Sequence, residues 1–186
     1  MNNPESFYKS WSVFCHMSQV VYVTSNQAKF EEAKEHLPSL TQRSVDITEV
    51  QGGTEEVVRD KAFKAYNAVS QPCVVDDASL RIADLGGFPG PYVKDFLNRL
   101  SLEEIGSSYA GSAAGAVVNI AYADGENVHV FSGSVSGRIV MPRGDGWGYE
   151  PVFQPSGHEK TWAELGDTAV KHREKALLEL KSFLAG

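Results

Sequence analysis

Cysteine is nearly absent: the 186 residues hold two, Cys15 and Cys73. Two cysteines cannot supply the disulfide framework of a small secreted scaffold, and Cys73 opens an apolar run expected to be core, so a reducing, cytoplasmic setting is expected. Basic residues are also short, 17 Lys and Arg against 24 Asp and Glu, for a net charge of −7. That balance excludes a non-specific binder of nucleic acid polymers, which needs a basic face, while leaving room for a small phosphate ligand held by a few lysines. No apolar stretch approaches the ~18 residues that cross a bilayer, so no membrane partner is expected. Residues 1–19 carry neither an early basic cluster nor a sustained apolar run, so no signal peptide is expected. They form an N-terminal extension ahead of a single domain over residues 20–186. No repeat and no low-complexity tract interrupts that domain.

What is present is ordinary globular material, 42% hydrophobic and 22% charged, enough for a sizeable core. The chain is organised around residues 74–91, VVDDASLRIADLGGFPGP. An apolar run delivers two adjacent carboxylates, Asp76 and Asp77, where a strand is expected to end. A turn rich in glycine and proline follows. Like charges so close repel, and two adjacent acids at a strand end cannot both face the core, so solvent or a divalent cation must compensate them.

Upstream, residues 20–23 (VVYV) predict a short buried strand running into Thr24-Ser25-Asn26-Gln27-Ala28-Lys29. Ser25 or Asn26 is the N-cap of a helix that buries Phe30, Ala33 and Leu37 and ends at Pro38. A strand feeding a helix N-terminus leaves backbone N–H groups and the positive dipole end facing outward, which suits an anion, and Lys29 can add a point charge. An ordinary capped helix with a solvated lysine has the same pattern. Residues 44–50 predict an edge strand ending near Glu49, and Thr54 caps a helix striped with Val58, Ala62, Ala65 or Tyr66, and Val69. Lys61 and Lys64 lie off that stripe, solvated or aimed at a ligand.

Pro91 suits the first position of the next helix, which turns Val93, Phe96, Leu97 and Leu100 inward. Residues 101–111 read as a polar connection. The period then changes to two, predicting strands at 116–123, 128–132 and 134–141, with a turn at Asp124-Gly125. The stretch 142–165 is rich in Gly and Pro yet carries Trp147, Tyr149, Phe153 and Trp162, so it should pack rather than stay solvated. Residues 171–184 predict a closing helix. Helices alternating with strands early and a hairpin late predict an α/β domain with a mixed sheet.

The motifs fall in a specific order: T-S-N-Q-A-K at 24–29, E-V-Q-G at 49–52, D-D-A-S-L at 76–80, G-G-F-P-G-P-Y-V-K at 86–94, G-W-G-Y-E-P at 146–151, K-T-W-A-E-L at 160–165 and A-V-K-H-R at 169–173. This series resembles the inosine/xanthosine triphosphate pyrophosphatase family (Ham1-like), in its eukaryotic form, over about residues 20 to 184. The resemblance implies a two-lobed α/β fold: a central elongated mixed β-sheet flanked by helices, with the active-site cleft between the lobes. It implies hydrolysis of ITP, dITP and XTP by attack of water on the α-phosphorus, giving the monophosphate and pyrophosphate. Mg²⁺ and a homodimer are implied as well.

By the same resemblance, Thr24, Ser25, Asn26 and Lys29 match the phosphate-gripping turn, and Lys61 and Lys94 further phosphate contacts. Glu49 and Asp77 match the metal-binding acids, with Asp76 beside them, and Asp77 the group that orients or deprotonates water. Which of the two aspartates touches metal and which touches water stays open. Trp147, Gly148, Tyr149 and Glu150 match the base-binding loop, and His172 and Arg173, preceded by Lys171, the pair that reads the 6-oxo edge of the purine. Polar readers of that kind can discriminate by up to about 10⁴–10⁵.

Three positions depart from the family pattern: Glu150 stands where an aspartate is usual, Lys171 where a serine is usual, and Asp167 where a lysine is usual. One extra methylene moves a carboxylate by about 1 Å, a displacement that can cost roughly 10²-fold in rate. Lys171 is a candidate to supply the charge lost at Asp167. A shifted base preference, or nucleotide binding with weak or no turnover, is the alternative these departures raise.

Overall fold

The first apolar run forms β1 (Val21–Val23), buried at all three residues. The computed structural model describes residues 20–168 and 171–186; the 1–19 extension, Cys15 and the Asp167 side chain lie outside what it describes. β1 leads into α1 (Gln27–His36), and β2 (Thr41–Arg43) returns parallel to β1. The edge strand expected at 44–50 is therefore three residues earlier and shorter. β1 offers only three partners, Val21 to Thr41, Tyr22 to Gln42 and Val23 to Arg43, so the ladder ends at Arg43. Next, α2 (Thr54–Val69) begins at Thr54 itself with Gly53 as N-cap, and buries Val57, Val58, Ala62, Ala65 and Val69.

β3 (Cys73–Ile82) does not stop at the two aspartates. It runs through them because β5 (Ala113–Ala123) pairs with it residue for residue, from Cys73 opposite Ala123 to Ile82 opposite Ala114. Between them lie β4 (Pro89–Gly90), α3 (Val93–Arg99) and α4 (Leu102–Tyr109). α3 starts two residues after Pro91, with Tyr92 as N-cap. α4 replaces the expected connection: Ser101 and Glu104 form a reciprocal capping box, and Ile105 is buried beneath it. The two strands expected at 128–132 and 134–141 are one, β6 (Val128–Ile139), paired with β5 along its whole length. The aromatic-rich stretch then folds into a single 3₁₀ turn, β7 (Phe153–Pro155) and α5 (Trp162–Leu165), before α6 (His172–Ala185) closes the chain.

The result is one seven-stranded sheet in the order β2-β1-β3-β5-β6-β7, with β4 beside β3. β1 is parallel to both neighbours, and the later pairs are antiparallel. The mixed α/β architecture expected from the sequence is the one observed.

Period-two alternation splits the core. Tyr22, Val74, Val118 and Ile120 face α1 and α6, packing on Phe30, Ala33, Ala176, Leu177 and Leu180. Val21, Val23, Val75 and Ala121 face the other way, onto Val58, Ala62, Ala65 and Val69 of α2. A third cluster gathers at the far end of the sheet around Leu80, Ile82, Phe96, Ile105, Phe153 and Trp162. Truncating a fully buried leucine such as Leu177 would cost roughly 2–5 kcal/mol. A cleft opens between the first and third clusters, walled by α1 and the start of α6 on one side and by Trp147, Tyr149 and Trp162 on the other. Among the described residues no helix is long and apolar enough to cross a membrane.

Candidate active site

Strand alternation decides the environment of the paired acids. Asp76 and Asp77 are both buried, at 2% and 9% exposure, which a strand end would not have allowed. Adjacent strand residues point to opposite faces, so each acid meets its own counter-charges. On the α1/α6 face, Asp76 Oδ2 pairs with Lys29 Nζ at 3.0 Å and accepts a hydrogen bond from Arg173 Nη1. Burial by itself would raise its pKa, but Arg173, Lys29 and Lys61 outweigh that and hold the carboxyl far below the usual range. Arg173 also donates from Nε to Glu32 Oε2 at 2.9 Å, and its charge is reinforced against burial by Asp76, Tyr22 and Glu32.

On the α2 face the balance differs. Burial pushes the Asp77 carboxyl up to about 7; Lys61 opposes the shift, and Glu49 and Asp76 add to it. Its Oδ2 is buried with no hydrogen-bond partner among the described residues. Lys61 Nζ donates to Glu49 Oε1 at 2.6 Å and to the Asp76 carbonyl at 3.1 Å, which links Glu49 to β3 through Lys61, with the Asp77 carboxylate close enough to feel both charges. An orphaned carboxylate oxygen beside a second carboxylate is a donor set that a hard divalent cation fits. Among the described residues there is no cluster of three His, Cys, Asp or Glu. Mg²⁺ suits an open site of this kind, since it retains waters and bridges substrate phosphates.

The turn before α1 is built as the sequence predicts. Asn26, not Ser25, is the N-cap: its Oδ1 accepts from the Lys29 backbone N–H at 3.1 Å, while Thr24 Oγ1 accepts from the Asn26 N–H at 3.1 Å. Thr24 is fixed to β2 by donating its N–H to the Arg43 carbonyl at 2.9 Å. Ser25 is exposed, and Asn26 and Lys29 line the cleft.

The opposite wall is the loop 147–150 and the start of α6. Tyr149 is buried, and its hydroxyl sits 3.2 Å from His172 Nε2. His172 is 7% exposed and stacks within 5.1 Å of the Trp162 ring. Burial, with Arg173 adding to it, pushes the imidazole down to about 3, so it is neutral at pH 7. Among the described residues its buried Nδ1 has no hydrogen-bond partner, nor has Trp162 Nε1. Lys171 Nζ lies 3.1 Å from Glu150 Oε1. Trp147 stands 59% exposed on the cleft wall, with Gly148 beside it in a left-handed conformation at φ +61°.

α6 reaches this position because Gly133 yields to it: a Cβ there would collide with the His172 carbonyl. That glycine is why β6 passes unbroken beneath the helix.

The cleft, about 690 Å³ in volume, thus brings together Asn26, Lys29, Trp147, Tyr149, Glu150, Lys171, His172 and Arg173. Asp76 lies directly behind Lys29 and Arg173, and Glu49, Lys61 and Asp77 behind Asp76. Lys94 is exposed on α3 and is not on the cleft wall. Three participants escaped the sequence reading. Glu32 is legible, one helical turn from Lys29 on α1, and Trp162 reads from the sequence only as an aromatic of the long loop. Tyr22, buried on β1 beside Asp76, has the pattern of any strand aromatic.

Comparison with known proteins bears on the whole of this arrangement. The Ham1 family model matches residues 20–183. The chain belongs to the Ham1 family. It is 40% identical to an inosine triphosphate pyrophosphatase from Yarrowia lipolytica, over 89% of this chain and 95% of that protein. It is 34% identical to one from Schizosaccharomyces pombe, over 90% and 96%. Among solved structures, a Ham1 protein from Coxiella burnetii superposes with a TM-score of 0.76 at 26% identity, covering 89% of this chain and 98% of that one. The Ham1 protein from Staphylococcus aureus gives 0.72 at 26% identity, covering 90% and 98%. The Ham1 family fold therefore spans the described domain.

Proposed function

We propose that this protein is a nucleoside triphosphate pyrophosphatase that hydrolyses ITP, dITP and XTP to the monophosphate and pyrophosphate, removing them from nucleotide pools. The observation that carries the reading is the cleft itself. It has a capped helix N-terminus with Lys29 at one end. A buried, neutral imidazole with a free ring nitrogen stands at the other, and an unpaired buried carboxylate lies beneath. Family membership and the relatives' activity support the same reading.

In this reading the phosphates lie along Thr24–Lys29, with Lys61 as a further cation, and the base lies between Trp147 and the start of α6. The ring of Trp147 stacks on the purine. His172 Nδ1 and the Arg173 guanidinium face the base edge, where a 6-oxo group is accepted and the 6-amino group of adenine meets a mismatched donor. Glu49 and Asp77 would hold Mg²⁺, which when bound would supply charge neutralisation at the phosphates. Asp77, the acid whose pKa burial has raised to about 7 in the metal-free protein, orients or deprotonates the attacking water. Asp76 keeps Lys29 and Arg173 in place. The reading carries with it a homodimer in the cytoplasm, tested by light scattering and fractionation.

Pyrophosphate release from ITP, dITP, XTP, GTP, ATP and dUTP, with Mg²⁺ and with chelator, tests it. Metal-dependent turnover led by ITP and XTP supports the reading. Turnover led by another nucleotide would assign a shifted base preference, and binding without turnover would reduce the protein to a nucleotide binder.

A further inference from the structure

Glu150 and Lys171 are two of the three positions at which the chain departs from its family's pattern, and the structure sets them against each other. Lys171 Nζ lies 3.1 Å from Glu150 Oε1, and the other carboxylate oxygen, Oε2, accepts the Trp147 backbone N–H at 3.0 Å. Glu150 returns the bond, donating its own N–H to the Trp147 carbonyl at 3.2 Å. The carboxylate therefore closes a tight turn whose third side is Gly148, in the left-handed region at φ +61°. One residue earlier on the loop and one later on the helix, Tyr149 and His172 make the second link, 3.2 Å from hydroxyl to Nε2. A serine at 171 has no reach for this contact, and an aspartate at 150 is one methylene shorter. The two departures fit as a pair. The ammonium of Lys171 is directed to the base end of the cleft, where Glu150 engages it.

We propose that Glu150 and Lys171 are positioning residues that act as one unit: together they fix the Trp147–Glu150 turn against the start of α6, hold the Trp147 ring over the cleft, and so set affinity for the purine base. This rests on the nucleotide pyrophosphatase reading above. The Lys171 side chain is 30% exposed and that of Glu150 19%, so solvent screens the pair, and its effect on affinity is about two- to fivefold.

The test uses IMP and AMP as probes, because neither monophosphate needs turnover, and follows tryptophan fluorescence in the full-length protein. Trp147→Phe identifies the part of the signal that comes from that ring. Lys171→Met and Glu150→Gln should each weaken IMP about two- to fivefold. The double variant should weaken it no further than the worse single one, and Lys171→Arg should restore it. For ITP hydrolysis the same variants should raise KM with kcat within about twofold, which a general loss of folding would not do. Unchanged IMP affinity in both single variants, or losses that multiply in the double variant, would overturn the proposal. Failure of the wild type to release pyrophosphate from ITP while IMP still binds would overturn the activity and leave the positioning unit standing. No saturable IMP signal in the wild type would overturn the positioning proposal, while pyrophosphate release from ITP decides the activity separately.

Discussion

Asp76 and Asp77 share a peptide bond and face opposite sides of β3: Asp76 is bound by Lys29 and Arg173 among α1 and α6, whereas Asp77 lies toward Lys61 and Glu49 on the α2 side with one oxygen unpaired. One acid is structural glue between elements. The other keeps a buried oxygen without a hydrogen-bond partner among the described residues.

That division predicts opposite outcomes for two matched substitutions. Asp76→Asn leaves the Arg173 guanidinium, 4% exposed, without its buried partner. Breaking such a pair costs about 3–5 kcal/mol and should lower Tm by roughly 10 °C, read by calorimetry. Asp77→Asn should keep the wild-type fold and lose ITP turnover, and Mg²⁺ should raise the Tm of the wild type but not of the variant.

Gly133→Ala should act at a distance from the nucleotide. The new methyl group meets the His172 carbonyl, so the start of α6 must move away from β6. A stability loss of about 1–3 kcal/mol is expected, together with weaker IMP binding, since His172 and Arg173 move with the helix. Denaturant melts and IMP titration check the two effects separately.

His172 predicts a pH dependence. Its folded pKa, about 3, lies below the unfolded value of 6.5, so the folded state holds fewer protons in that window. Its contribution to stability is complete above pH 6.5 and is lost as pH falls toward 3, by up to about 1.4 kcal/mol per unit. Asp77, with its pKa raised to about 7, works in the other direction: its contribution is complete below the unfolded carboxylate value and fades as pH rises through 7. The difference between wild type and His172→Phe cancels Asp77. Urea melts from pH 7 to pH 4 should show the wild type losing stability relative to the variant.

Much of the fold was legible because local signals agreed. The VVYV run, the Asn26 cap and the striped helix over residues 54–69 each specify themselves from neighbouring residues. What was not legible depended on distant partners. The length of β3 is set by β5, forty residues on, and so the aspartates were misplaced at a strand end. Gly133 has the sequence signature of a turn and is a site of backbone approach instead, which only the position of α6 reveals. The α4 helix was announced by Ser101 and Glu104, a capping box that the polar composition of the segment obscured. At the site, the motifs named Asn26, Lys29, Trp147, Tyr149, Glu150, Lys171, His172 and Arg173, which line the cleft, while the union of Glu150 with Lys171, and the contact of Glu32 with Arg173, required side-chain geometry.

The most direct test is kcat/KM for ITP against ATP in the presence of Mg²⁺, with pyrophosphate and monophosphate quantified as products. The account predicts equimolar IMP and pyrophosphate and a preference for ITP of at least about 10²-fold, as expected where buried polar groups read the base edge. Comparable rates on both nucleotides, or release of inorganic phosphate in place of pyrophosphate, would contradict it.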